Sequence, residues 1–140
     1  MSHTPPAHNT LSPYLVVRDA SAFVAFMAEV LGAVELGRLT TPDGKIGHCE
    51  VRIGDTVVMV GDQPDGAEPS TAMLHVYVPD VDACHARALA HGAVSTRAPA
   101  DQFYGDRTAM VTDSWGVRWA FATHLREVSM EEMQAAVAKG

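Results

Sequence analysis

His48, Glu50 and Arg52 stand at alternate positions of the segment His48-Cys-Glu-Val-Arg-Ile53. In a strand, successive side chains leave on opposite faces, so Cys49, Val51 and Ile53 face a core while the three polar residues share the other side. Imidazole and carboxylate are suitable ligands for a divalent metal and suitable general acid–base groups. Glu50 and His48 are therefore the candidate catalytic residues, with Arg52 beside them as a substrate contact. The same pattern also describes a wet strand face with its own ion pair, and strand parity alone does not choose between the two. A strand beginning at Met73 divides in the same way, with Leu74, Val76 and Val78 toward a core and Met73, His75 and Tyr77 on the other face. In Ser12-Pro-Tyr-Leu-Val-Val17 the corresponding face holds Ser12, Tyr14 and Val16. His75 interrupts an otherwise apolar strand, which suits either a half-buried, satisfied histidine or a ligand.

The loop Asp101-Gln-Phe-Tyr-Gly-Asp-Arg107 adds two adjacent aromatics and a Gly-Asp-Arg step. Phe103 and Tyr104 can form the lip of a cleft, and Arg107 can orient an acidic group of a ligand. Asp106 and Arg107 can equally pin the loop, the reading preferred for Asp106. Trp115 and Trp119 read as packing residues. His85 and His91 are expected at the solvated side and end of a helix, without a role. The sequence contains no Gly-rich phosphate loop, CxxC pair, HExxH or GxSxG, so covalent catalysis by Ser or Cys has no support.

The elements that must position these residues occur twice. After the strand at Ser12–Val17, Asp19 or Ser21 caps a helix with Phe23, Phe26, Met27, Val30 and Leu31 at helical spacing, closed by Gly32. Strands at Val34–Leu39, Gly47–Ile53 and Thr56–Val60 complete a β-α-β-β-β order. Asp62–Ser70 reads as a linker. The order then repeats: a strand at Met73–Val78, a helix capped by Asp80 or Asp82 and ended by Gly92, and a strand at Ala93–Thr96. A long loop through Pro99 and Phe103 leads to strands at Arg107–Thr112 and Val117–His124. Asp19 corresponds to Asp80, Gly32 to Gly92 and Gly54 to Gly116, at near-constant spacing and with the same local task, which indicates internal duplication.

The expected fold class is α+β: two tandem βαβββ modules, residues 11–61 and 72–124 of a domain spanning 11–126, forming a curled mixed eight-stranded sheet with a central cleft. Residues 1–10 are expected to be a flexible tail. Residues 127–140 should carry a C-terminal helix, with Ser129 and Glu132 at capping-box spacing and an apolar stripe of Met130, Met133 and Val137. That stripe either docks on its own domain or makes a dimer contact.

Composition bounds the function. With 47% hydrophobic and 19% charged residues, the 140-residue chain is globular. Its net charge of −7 argues against nucleic acid and favours a neutral or cationic ligand. No apolar run approaches the ~20 residues that cross a bilayer, and the opening MSHTPPAHNT lacks the features of a secretory signal. The expectation is a cytoplasmic protein with no membrane partner, in which Cys49 and Cys84 are reduced, buried thiols.

The duplicated βαβββ layout over residues 11–126 resembles the vicinal oxygen chelate superfamily, which includes glyoxalase I, bleomycin-resistance proteins, extradiol dioxygenases and fosfomycin-resistance enzymes. The segments PYLVVRDA, LGAVELGR, PDGKIGHCEVRIGD, LHVYVPDVDA, DQFYGDR and TDSWGVRWAFATH are similar to the branch named after the phosphonate-operon B protein. Glyoxalase-type members hold a metal with four ligands, one on the first and one on the last strand of each half. Carried over, these positions fall at Ser12 (or Tyr14), Glu50, His75 and Ala120. Ser12 is a poor ligand and Ala120 cannot coordinate, so glyoxalase I itself is rejected. With His48 substituting, the resemblance implies a metal site of Glu50, His75 and His48 and one divalent ion (Zn, Ni, Mn or Fe), or none. It further implies a homodimer and a small-molecule ligand contacted by Tyr14, Arg52, Tyr77, Phe103, Tyr104 and Arg107. Two functions follow: a metal-dependent lyase or isomerase, in which His48, Glu50 and His75 share ligand and base roles, or a metal-free protein that binds or sequesters a small molecule such as an antibiotic.

Overall fold

The computed structural model describes residues 3–139. It divides into two compact units, the first ending at Thr71 and the second beginning at Ala72. The first contains β1 (Tyr14–Val17), α1 (Ala20–Leu31), β2 (Val34–Thr40), β3 (Ile46–Ile53) and β4 (Thr56–Asp62). The second repeats the order as β5 (Met73–Tyr77), α2 (Val81–Ala90), β6 (Val94–Asp101), β7 (Asp106–Thr112) and β8 (Arg118–His124), and adds α3 (Met130–Ala138). The eight strands form two four-stranded mixed sheets, ordered β1-β4-β3-β2 and β5-β8-β7-β6. β1 pairs with β4, and β5 with β8, in parallel; the remaining pairs are antiparallel. The α+β fold of two βαβββ modules with a C-terminal helix is therefore what the chain adopts.

In the first unit, α1 begins where the Asp19 carboxylate accepts the Ala22 amide. It ends at Gly32, whose φ of +67° is a left-handed conformation natural to glycine. The helix packs on all four strands, and Phe23, Met27 and Val30 are fully buried, each contributing about 1.5–3 kcal/mol through burial. Cys49 and Val51 form the opposing surface of β3 and are also fully buried. β4 runs two residues further than the expected Val60. Asp62, assigned to the linker, accepts the Ala20 amide at 2.9 Å and the Ile46 amide at 2.6 Å. One carboxylate thereby ties the starts of α1 and β3 to the end of β4.

In the second unit Asp80 caps α2 and accepts the Ala83 amide, while His91 occupies the C-cap and Gly92 follows at φ +98°. The expected long loop after Thr96 is a correction: β6 continues to Asp101. As the edge strand, it tolerates Pro99 because an edge amide need not be donated, and the ladder shifts register between Arg97 and Ala100. His85 is a second correction. It is buried, and its Nε2 is 2.8 Å from Ser95 Oγ, so it fastens α2 to β6 rather than facing solvent. Both cysteines are free and buried, and burial pushes their thiols upward in pKa.

Candidate functional site

The alternation of β3 sets out the first cluster. Cys49 and Val51 turn inward, leaving half-buried His48 and Glu50 and exposed Arg52 on the opposite face. The Tyr14 hydroxyl, at 3.1 Å, donates to His48 Nδ1, and His48 Nε2 donates to Glu50 Oε2 at 3.0 Å. The other Glu50 oxygen is taken by a residue that strand patterns do not reach. His8, in the segment expected to be loose, donates from Nε2 to Glu50 Oε1 at 2.9 Å and from Nδ1 to the Pro6 carbonyl at 3.1 Å. The Asn9 side chain also reaches the Asp55 carbonyl at 3.4 Å. Residues 3–10 thus lie against the sheet and help enclose a cavity of about 580 Å³ with Tyr14, Glu50 and Met59. The only advance signal for His8 was its residue type.

The charges in this cluster reinforce one another. Contact with the Pro6 carbonyl, then with Glu50, raises the His8 pKa; the hydrogen bond from His48, then that from His8, lowers that of Glu50. The His8 contribution is complete below the ordinary histidine pKa and disappears as pH rises through its raised folded value. That of Glu50 is complete above the ordinary glutamate pKa and disappears as pH falls through its lowered value. Limited proteolysis of the 3–10 segment should therefore accelerate at both ends of the range and be slowest between them. A cleavage rate flat from acid to alkaline pH would contradict this linkage.

A metal requires lone pairs converging on one point. Here both Glu50 oxygens and both His48 ring nitrogens are directed at one another or at Tyr14 and His8. Among the described residues no group of three or more His, Cys, Asp or Glu side chains is arranged to hold an ion. Strand register explains the mismatch. His75 pairs with Ala120 across the parallel β5–β8 ladder, as Tyr14 pairs with Met59 across β1–β4. The counterpart of Ala120 in the first unit is thus Met59, on its last strand, and Glu50 is the β3 neighbour of Met59. The positions implied by the resemblance become Tyr14, Met59, His75 and Ala120, where only His75 is an ordinary metal donor. Of the expected donors, Glu50 and His48 stand together in the first unit and His75 belongs to the second.

In the second unit His75 and Tyr77 share the outward face of β5, with ring centroids 5.0 Å apart. Phe103 and Tyr104 meet edge to face at 5.2 Å. With Tyr77, His124 and the Met130, Met133 and Val137 stripe of α3, they line a cavity of about 460 Å³. Arg107 does not reach into it. Its guanidinium grips both Asp82 oxygens at 2.7 and 2.9 Å and Asp101 at 2.9 Å, and these contacts, Asp82 first, raise its pKa further. Asp106 does not pair with Arg107; it is buried and receives His124 Nδ1 at 2.7 Å.

Comparison with known proteins agrees with this architecture. The family model described as the Glyoxalase/Bleomycin resistance protein/Dioxygenase superfamily matches residues 7–121. An uncharacterised protein of Mycobacterium tuberculosis is 40% identical, over 91% of this chain and 81% of its own. The crystal structure of TioX from Micromonospora sp. ML1 aligns with a TM-score of 0.70 and 28% identity, over 84% of this chain and 99% of that one. A PhnB protein from Bacillus cereus, described as a putative 3-demethylubiquinone-9 3-methyltransferase, aligns with a TM-score of 0.66 over 82% of this chain and 99% of its own. At 11% identity that last likeness speaks for the fold and not for the branch.

Proposed function

The chain belongs to the glyoxalase/bleomycin resistance protein/dioxygenase superfamily, and on that premise we propose that it is a homodimeric small-molecule-binding protein whose site works without a bound metal. The observation that carries this reading is the closed Tyr14–His48–Glu50–His8 network, in which both Glu50 oxygens and both His48 ring nitrogens already have hydrogen-bond partners. Met59 and Ala120, at the positions where donors would be needed, add apolar surface instead. A lyase or isomerase working through a Lewis acid would need donors that these two residues do not supply. The first-unit cavity combines a carboxylate, a phenol and a thioether in a chain of net charge −7, which suits a neutral or cationic aromatic molecule.

Dimerisation is part of the proposal. β2 is exposed along its whole length and presents Val34, Leu36 and Leu39 at a sheet edge, a surface that a second copy would cover. A monomer in sedimentation velocity at micromolar concentration would remove this part. The binding claim is tested by titrating acridine orange, a planar aromatic cation, in EDTA and again in excess zinc. The expected result is saturable binding with the same affinity in both, weakened severalfold by Glu50→Gln. Binding that appears only with zinc, or none in either buffer, would refute the proposal.

A further inference from the structure

The second unit contains a constellation that the metal-free reading does not use. His124, the last residue of β8, sits between two carboxylates: Nδ1 is 2.7 Å from Asp106 Oδ1 and Nε2 is 2.9 Å from Glu127 Oε1. A ring nitrogen facing a carboxylate oxygen must carry a proton, so the geometry makes this ring an imidazolium with two N–H donors. The raised His124 pKa, due first to Asp106 and then to Glu127, agrees. The two partners differ in kind. The Asp106 side chain is 8% exposed and fixed within the sheet, whereas that of Glu127 is 95% exposed and lies beyond the end of the strand. Asp106 orients the ring, and Glu127 occupies its outward donor with a bond that water can replace at little cost.

The His124 ring, together with the Asp106 that holds it, lines the cavity of about 460 Å³ walled by Tyr77, Phe103, Tyr104 and Met133. α3 makes no close backbone approach to any other helix or strand among the described residues. It reaches this cavity through side chains alone, and Met130 and Val137 remain 78% and 59% exposed. Such a wall adapts to what it covers, because methionine side chains repack readily. An aromatic-lined cavity that carries an imidazolium, its outward donor held only by an exposed glutamate, has the complement of an amphipathic acid.

We propose that this cavity is a binding site for an aromatic monocarboxylate, whose acid group displaces Glu127 from His124 Nε2 while its ring lies among Tyr77, Phe103, Tyr104 and the methionines of α3. Displacement exchanges one carboxylate for another at the imidazolium, so the number of charges touching the ring is unchanged, and Glu127 returns to water. The net negative charge of the chain acts at longer range and is screened within about 8 Å at physiological salt. The site shares no residue with the Glu50 cluster and does not depend on whether that cluster binds metal.

The test is calorimetric titration with 1-naphthoate and with the neutral 1-naphthamide, at fixed pH, on wild type, Glu127→Gln and His124→Gln, with thermal melts as folding controls. Wild type is expected to bind naphthoate and to prefer it to the amide. Glu127→Gln removes the internal competitor and should tighten naphthoate binding about two- to fivefold. His124→Gln should weaken it about tenfold or more while leaving the amide nearly unaffected. The gain in Glu127→Gln is a readout that a structural role would not produce, and this exposed residue can be changed even if His124→Gln folds poorly. No naphthoate binding by wild type, equal affinity for acid and amide, or weaker naphthoate binding by Glu127→Gln would each overturn the proposal.

Discussion

Gly105→Ala is expected to destabilise the protein by about 3 kcal/mol or more and to abolish binding in the cavity that α3 borders. Gly105 has φ +97°, a conformation that costs an L-residue about 1–2 kcal/mol by itself. A methyl group there would also overlap the Arg126 carbonyl oxygen and press on Val128. Neither the backbone at Arg126 nor that at Gly105 can easily yield, because the Gly105 carbonyl accepts the amides of Leu125 at 2.9 Å and Arg126 at 3.1 Å. This knot fixes the chain leading from β8 to α3 beside Phe103 and Tyr104, so relieving the overlap would move cavity walls. Gly116 is the control: its φ is +82°, but nothing lies within 4 Å of an added methyl. Gly116→Ala should therefore cost only the conformational part. Urea unfolding of both variants separates the terms, and a Gly105→Ala loss no greater than that of Gly116→Ala would contradict the steric argument.

Asp113→Ala should cost about 3 kcal/mol or more through a different mechanism. Asp113 is 6% exposed, and Trp119 is fully buried. One carboxylate oxygen accepts the amides of Trp115 and Val117, both at 2.9 Å, and the other accepts the indole Nε1 of Trp119 at 2.8 Å. Truncation leaves the indole donor in the core without its acceptor and opens the turn that feeds β8. Each buried donor left unsatisfied costs about 1–3 kcal/mol, more when its partner was charged. Asp113→Asn keeps the shape but turns an N–H₂ toward a donor and should fall between wild type and Asp113→Ala. Denaturant midpoints would report the order, and an Asp113→Ala loss below about 1 kcal/mol would show that the turn is held by other contacts.

The fold was legible because its signals are local. Alternation in His48–Ile53 assigned the faces of β3, the caps at Asp19 and Asp80 started the helices, and recurring glycines exposed the duplication. The site was less legible because its decisive facts are long-range. Glu50 lies on the chemically interesting face of β3, but the parallel β1–β4 and β5–β8 ladders show that Met59, and not Glu50, is the counterpart of Ala120. Strand parity fixes a face without fixing which residue stands opposite which. His8 could not be found by periodicity, since it belongs to no helix or strand and meets Glu50 across 42 residues of sequence. Arg107 looked available to a ligand because the loop pattern does not show that Asp82, on α2, comes within 2.7 Å of it. Pro99 suggested a loop where an edge strand accommodates it.

The central claim, that the Glu50 cluster is closed by its own hydrogen bonds and does not hold a metal, is tested most directly by metal content. Protein purified without added metal or chelator would be subjected to elemental analysis, then titrated with zinc by calorimetry beside Glu50→Gln. The account predicts no stoichiometric divalent ion, indistinguishable zinc titrations for the two proteins, and a stability difference below about 1 kcal/mol for the half-buried pairs that Glu50 makes near the surface. One ion per chain in wild type, lost in Glu50→Gln with folding intact, would contradict it.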